Sequence, residues 1–239
     1  MYEENYGKRR AYYERRKKRR RKIIIRRFLC LALAAVCIVG AGIGIKRLFT
    51  RDSGGTVFSL PKKPSVTEKL KAVALPDYVD SQLIHVHTTA RTGTPLEDIK
   101  DIVIHYVGNP GTSAQNNRDF FDKDSTEVSS HFVVGLNGEV IQCLPVWERS
   151  AASNNRNKDT ISIEVCHPDE TGKFNEKTYN SVIKLTAWLL NETGLGADNV
   201  IRHYDVTGKL CPIYYVNNPD KWDAFKKDVK TSLAELKEK

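Results

Sequence analysis

Residues 160–166 read Thr-Ile-Ser-Ile-Glu-Val-Cys. In an extended chain side chains alternate between two faces, so Ile161, Ile163 and Val165 share one face of a strand and Ser162, Glu164 and Cys166 the other. Upstream, the apolar runs 131–135 and 139–144 flank Leu136-Asn137-Gly138, and an Asn-Gly pair that tolerates positive φ predicts a hairpin. Further upstream, the short β-branched stretch 101–106 reads as another strand. Thr112 or Ser113 then caps a helix running to Phe121. Downstream, Asn175 caps a helix that carries Tyr179, Val182, Ile183, Thr186, Leu189 and Leu190 at helical spacing, and Gly194 ends it. A short strand at 200–202 leads into His203. A last helix starts near Pro219, with Trp222, Phe225, Val229, Leu233 and Leu236 on one stripe. The expected architecture is α/β, a central mixed sheet of about five strands flanked by about three helices, within residues 98–239.

The chain has 239 residues and a net charge of +9 that is unevenly spread. Residues 1–27 hold 13 Lys/Arg and 3 Glu, a net of +10, so the remainder is close to neutral. Residues 28–45 are 18 positions without a charge, about 27 Å as a helix against ~30 Å of bilayer hydrocarbon. With the basic block before it, this run is expected to be an uncleaved transmembrane helix, placing the N-terminus in the cytoplasm and the C-terminal bulk outside the cell. A cleaved signal peptide fits less well, because the basic region is long for one. The basic tail is assigned to anionic lipid, and no nucleic acid is expected as a partner. Residues 46–97 read as an extracellular stem, with a short helix around 67–74 and a weakly alternating edge strand at 83–88. The expected division is therefore 1–27 basic cytoplasmic tail, 28–45 transmembrane helix, 46–97 stem and 98–239 compact α/β domain.

The candidate chemistry sits at strand ends. His105 closes the 101–106 strand, with Tyr106 and the turn Gly108-Asn109-Pro110-Gly111 after it. His203 closes the last strand, and Lys209 and Cys211 follow at +6 and +8. Imidazole and thiolate suit zinc, and three protein ligands leave a fourth position for water. From spacing alone the alternative stays open, since a single strand-end His is more often structural and a single Cys more often an inert apolar residue.

The segments IVIHY, SSHFVV with its Asn-Gly hairpin, ISIEVC and RHYDVTGKLCP arrive in that order. This set resembles the type 2 family of zinc-dependent N-acetylmuramoyl-L-alanine amidases, over about residues 98–235. The resemblance implies one zinc ion on His105, His203 and Cys211, with Lys209 as the active-site lysine. Where members use a tyrosine base this chain has Ser130, so the resemblance assigns the base to Glu164. His131, Tyr106 and Asn109 are further candidates to touch substrate; for His131 a structural hydrogen-bonding role is the alternative. The resemblance implies a hydrolase that cleaves the amide between the lactyl group of N-acetylmuramic acid and L-alanine in peptidoglycan of a bacterial cell wall. Some relatives bind peptidoglycan without cutting it, and loss of the cysteine marks that class; Cys211 is present, which points to an enzyme. The chain departs from the family after the hairpin: residues 147–152 read Trp-Glu-Arg-Ser-Ala-Ala, without the histidine expected there.

Overall fold

The computed structural model describes residues 65–86 and 88–238. Its strands are β1 (Val79–Ser81), β2 (Asp101–Ile104), β3 (Phe132–Val134), β4 (Val140–Gln142), β5 (Thr160–Val165) and β6 (Val200–Arg202). They form one six-stranded sheet in the order β1-β4-β3-β5-β2-β6. The β3/β4 hairpin is antiparallel and every other pairing is parallel. Gly138 takes φ 86° in the hairpin turn, the conformation that the Asn-Gly pair predicts.

The helices are α1 (Val66–Leu70), α2 (Ala114–Phe121), α3 (Glu176–Thr193), α4 (His203–Thr207), α5 (Ile213–Asn217) and α6 (Pro219–Lys237). Their ends follow local chemistry. The Ser113 hydroxyl accepts from Asn116 N–H and the Asn116 side chain answers Ser113 N–H, a capping box that starts α2. Thr112 instead hydrogen-bonds Asn109 O. Asn175 Oδ1 accepts from Thr178 N–H at 3.0 Å, and Gly194 ends α3 at φ 71°.

The two faces of the sheet have different tasks. Ile102, Ile104, Ile161, Ile163 and Val165 point to one face and join the buried stripes of α3 and α6. Phe225 stacks on Trp222 with ring centroids 5.1 Å apart and meets Tyr179 edge-on at 5.7 Å. Burying one such side chain contributes about 1.5–3 kcal/mol, so this face supplies most of the fold's stability. The other face carries a smaller cluster, Val133, Ile141, Cys143 and Cys166 against Ala114 and Phe121 of α2. The functional residues lie on this second face.

Three expectations change. The sheet has six strands, because Val79–Ser81 adds an edge strand beside β4. The edge strand expected at 83–88 does not form: Leu83 and Val86 are exposed while Ile84 and Thr88 are buried, so the alternation there does not bury a continuous face. Residues 65–97, expected as stem, supply β1 and the buried side chains Leu70, Ile84, Ala90 and Leu96. The three expected helices of the domain are α2, α3 and α6; the short helix expected around 67–74 is α1, at Val66–Leu70, and α4 and α5 are additional short ones. Among the described residues no helix is long and apolar enough to cross a membrane, and the run 28–45 lies outside them. Cys143 and Cys166 are buried free thiols. Register keeps them apart: Cys143 N–H bonds His131 O before β3 begins, and Cys166 N–H bonds Val134 O at its end. With ~3.3 Å of rise per residue along β3, and β3 lying between their strands, a bridge is out of reach.

Candidate active site

Strand register assembles the site. β2 pairs with β5 through Ile104↔Ile163 and with β6 through Ile104↔Arg202. One step further along these parallel strands, His203, His105 and Glu164 stand in a row at the carboxyl ends of three adjacent strands. His105 N–H still donates to Ile163 O at 2.9 Å, so the row begins inside the hydrogen-bonded ladder. His105 and His203 rings lie 4.6 Å apart, and His105 Nδ1 is 3.8 Å from Glu164 Oε1.

The third member arrives by a turn. Asp205 accepts from Arg202 N–H at 3.0 Å and starts α4, and Gly208 ends it at φ 84°. Tyr204 N–H then donates to Cys211 O at 2.9 Å, folding the segment after Gly208 back over α4. Cys211 Sγ comes 3.9 Å from His105 Nδ1. One ligand atom each of His105, His203 and Cys211 lies within 4.8 Å of the others, and all three residues are buried. Ligands of a tetrahedral zinc at ~2.0–2.3 Å stand roughly 3.3–3.8 Å apart, so only a small contraction separates this arrangement from a metal site.

Burial keeps the donor groups of the metal-free site uncharged. Burial, aided by His203 and the Lys209 charge, holds His105 well below the usual imidazole range; burial and Lys209 lower His203 as well. Both rings are therefore neutral donors. Burial, with Glu164 adding to it, pushes the Cys211 thiol up to about 12, a value that a bound cation reverses because the thiolate is the ligand. Glu164 is raised to about 8 by burial, against which the Lys209 charge pulls down. Its Oε2 is buried and has no hydrogen-bond partner among the described residues. Two neutral imidazoles, a thiol and an unsatisfied carboxyl oxygen beside them are the donor set that a zinc ion and its water would complete.

A groove of about 1160 Å³ opens over the cluster. It is lined by Tyr106, Glu164, Lys209 and the three ligand residues, and also by Asn117, Phe120, Phe121 and Val128. Phe120 and Val128 are each 47% exposed, an apolar wall without cover.

Two expected contact residues are not there. Asn109 is exposed and does not line the groove. His131 is fully buried in the core. Its Nδ1 accepts from Ser162 N–H at 3.0 Å, so Nε2 carries the proton and donates to Glu148 O at 2.8 Å. Burial lowers it to about 4, and it is a structural histidine. Ser130, where a tyrosine base would stand, is also buried and bonds Ser162 Oγ at 3.1 Å. Glu148, in place of the family's histidine, turns from the groove into a bidentate pair with Arg91 at 2.7 and 2.9 Å.

The loop at 150–157 holds residues that the sequence reading passed over. Asn157 Oδ1 accepts from Ala152 N–H at 3.1 Å and Ser153 N–H at 2.6 Å, shaping the 3-10 turn Asn154–Arg156. Ser153 Oγ lies 3.4 Å from His105 Nε2, and Asn154 Oδ1 lies 3.1 Å from His203 Nε2. The available signal was the polar run Ser-Asn-Asn-Arg-Asn just before β5, which by itself reads as an ordinary turn.

Comparison with known proteins agrees with this geometry. Residues 94–214, just over half of the chain, match the Amidase_2 family, N-acetylmuramoyl-L-alanine amidase. The N-acetylmuramoyl-L-alanine amidase BlyA of Bacillus subtilis (strain 168) is 30% identical over 171 residues, 63% of this chain and 46% of BlyA. The chain thus spans about half the length of the curated relatives it matches. A mutant endolysin from Bacillus subtilis superposes with a TM-score of 0.56 at 28% identity, over 63% of this chain and 97% of that one. The catalytic domain of XlyA gives 0.56 at 25% identity, over 63% of this chain and 98% of its own. The chain belongs to the N-acetylmuramoyl-L-alanine amidase family.

Proposed function

We propose that this family member hydrolyses the amide between the lactyl group of N-acetylmuramic acid and the L-alanine of the stem peptide, with one zinc ion held by His105, His203 and Cys211. The observation that carries this reading is the row His203–His105–Glu164, closed by Cys211 at 3.9 Å from His105 and set in the floor of the groove. Zinc, when bound, supplies a Lewis acid that lowers the pKa of a water ligand to about 7.

The chain's own groups do the rest. Glu164 takes the proton from the attacking water and returns it to the leaving amine. A carboxyl that burial lifts to about 8 is drawn down by a neighbouring cation towards the range in which both transfers are easy. Lys209, exposed at the groove and close enough to shift both histidines, faces the negative charge that develops on the carbonyl oxygen. Tyr106 N–H bonds the Cys211 sulfur and steadies that ligand. The apolar wall of Phe120 and Val128 shields one side of the bound chain from water.

The test uses the full chain in detergent and purified cell wall, with and without chelator. New L-alanine amino groups that vanish on chelation are expected. New reducing sugar ends instead would identify a glycosidase, and neither product would identify a binding protein.

Residues 28–45 are proposed as a membrane anchor with the catalytic domain outside the cell. The support is their 18 uncharged positions behind a segment of net charge +10. Protease added to intact cells should remove the catalytic domain and leave the tail protected; full protection would reverse the orientation.

A further inference from the structure

The side chains that face the Nε2 atoms of the two histidines come from one short loop, 150–157, just before β5. Asn154 is the only non-glycine residue with positive φ among the described residues, at 53°. A non-glycine side chain in that conformation is uncommon, Asn being one of the types that adopt it most readily, and it persists where its surroundings impose it. Here the left-handed turn directs the Asn154 amide oxygen onto His203, 3.1 Å from Nε2. An oxygen acceptor at Nε2 requires that Nε2 carry the proton, which leaves the Nδ1 lone pair of His203 as its donor to the cluster. The preceding residue, Ser153, places its hydroxyl 3.4 Å from His105 Nε2, while His105 Nδ1 faces Cys211. Both rings are therefore held from behind on Nε2. Asn157 pins the loop by accepting from Ser153 N–H, and Ser150 joins it to β5 through Ser162 at 2.8 Å.

We propose that Asn154 is a positioning residue: its amide oxygen fixes the tautomer and ring angle of His203, so that the metal site is set before the ion arrives, with Ser153 giving weaker support to His105. The proposal rests on the metal reading above. Removing such an outer partner of a metal-ligating histidine lowers metal affinity by about 10–100-fold.

Three variants of the full chain separate the hydrogen bond from the turn. Asn154→Gly keeps the left-handed turn and removes the acceptor. Asn154→Asp keeps both and adds charge to the acceptor. Asn154→Ala removes the acceptor and disfavours the turn. Zinc affinity is measured by chelator competition, the absorption spectrum is recorded after cobalt substitution, and the metal-free melting temperature reports folding. We expect Asn154→Gly to bind zinc 10–100-fold more weakly with an altered cobalt spectrum and a metal-free melting temperature close to that of the parent. Asn154→Asp should bind at least as tightly as the parent, and Asn154→Ala should lose both affinity and melting temperature. The proposal is overturned if Asn154→Gly binds zinc within twofold of the parent with an unchanged cobalt spectrum, since Asn154 would then serve only the turn. It is equally overturned if Asn154→Asp loses affinity as Asn154→Gly does. A parent chain that takes up neither zinc nor cobalt would refute the metal reading itself, a result distinct from both.

Discussion

The strand-end row and the loop at 150–157 meet at the same cluster, yet they are held in different ways. His105, Glu164 and His203 take their places from main-chain ladders, through Ile104↔Ile163 on one side and Ile104↔Arg202 on the other. The loop takes its place from single side chains: Asn157 on two N–H groups, Ser129 Oγ accepting from Ala151 N–H at 3.0 Å, and Ser150 on Ser162. A ladder's register rests on many main-chain bonds and a whole buried face, so single substitutions rarely shift it, whereas a side-chain clasp fails with one. His105, Glu164 and His203 thus stand on the robust scaffold, and the groups that touch the two histidines from the loop stand on the fragile one.

Substitutions on the two scaffolds should behave accordingly, beginning with the row and its partner Cys211. Cys211→Ala is expected to abolish activity and reduce zinc content to background; a fully zinc-loaded variant would remove Cys211 from the ligand set. Glu164→Gln is expected to retain zinc and folding while kcat falls by about 10²–10⁴. A kcat within a few-fold of the parent would transfer the base role elsewhere. On the loop, Asn157→Ala strands two N–H groups and should cost about 1–2 kcal/mol of stability, with a several-fold loss of zinc affinity. An unchanged melting temperature together with unchanged zinc affinity would show that the loop is as robust as the row.

The last test concerns pH and leaves zinc binding aside. Burial raises Glu164 to about 8 in the metal-free site, so the folded state holds its proton more tightly than the unfolded chain. The stability this contributes is complete below the unfolded carboxylate pKa, about 4.5, and is lost as pH rises through about 8. Between pH 5 and 9 the metal-free parent should therefore lose melting temperature, on the order of ten degrees, relative to metal-free Glu164→Gln. A constant difference would mean that the carboxyl is already ionised throughout.

Much of this division was legible in the sequence. Periods of two and 3.6 at residues 160–166 and along α3 and α6 reflect burial on one face, and burial is what local pattern records. That pattern placed His105, Glu164 and His203 in or at the ends of strands, whereas their roles and that of Cys211 came from the family resemblance, since spacing alone left a structural reading open. β1 was missed because three residues beside a turn carry too little pattern, and Leu83–His85 alternates without burying a face. Ser153 and Asn154 were missed because their role depends on a left-handed turn and on two rings distant in sequence. His131 was the opposite case, a motif histidine whose partners, Ser162 and Glu148, lie in the core and not in the groove.

That buried histidine also sets an acid limit for the domain. His131 is uncharged in the fold, and its Nδ1 lone pair is occupied by Ser162 N–H, so protonating it breaks a core hydrogen bond. Its value of about 4, against an ordinary 6.5, means that the unfolded chain takes up the proton first as pH falls. The stability tied to the neutral ring is complete above 6.5 and drains away towards 4, on the order of 3 kcal/mol from one side chain. His105 and His203, also lowered by burial, act in the same direction. Mild acidification should thus loosen the domain through its imidazoles.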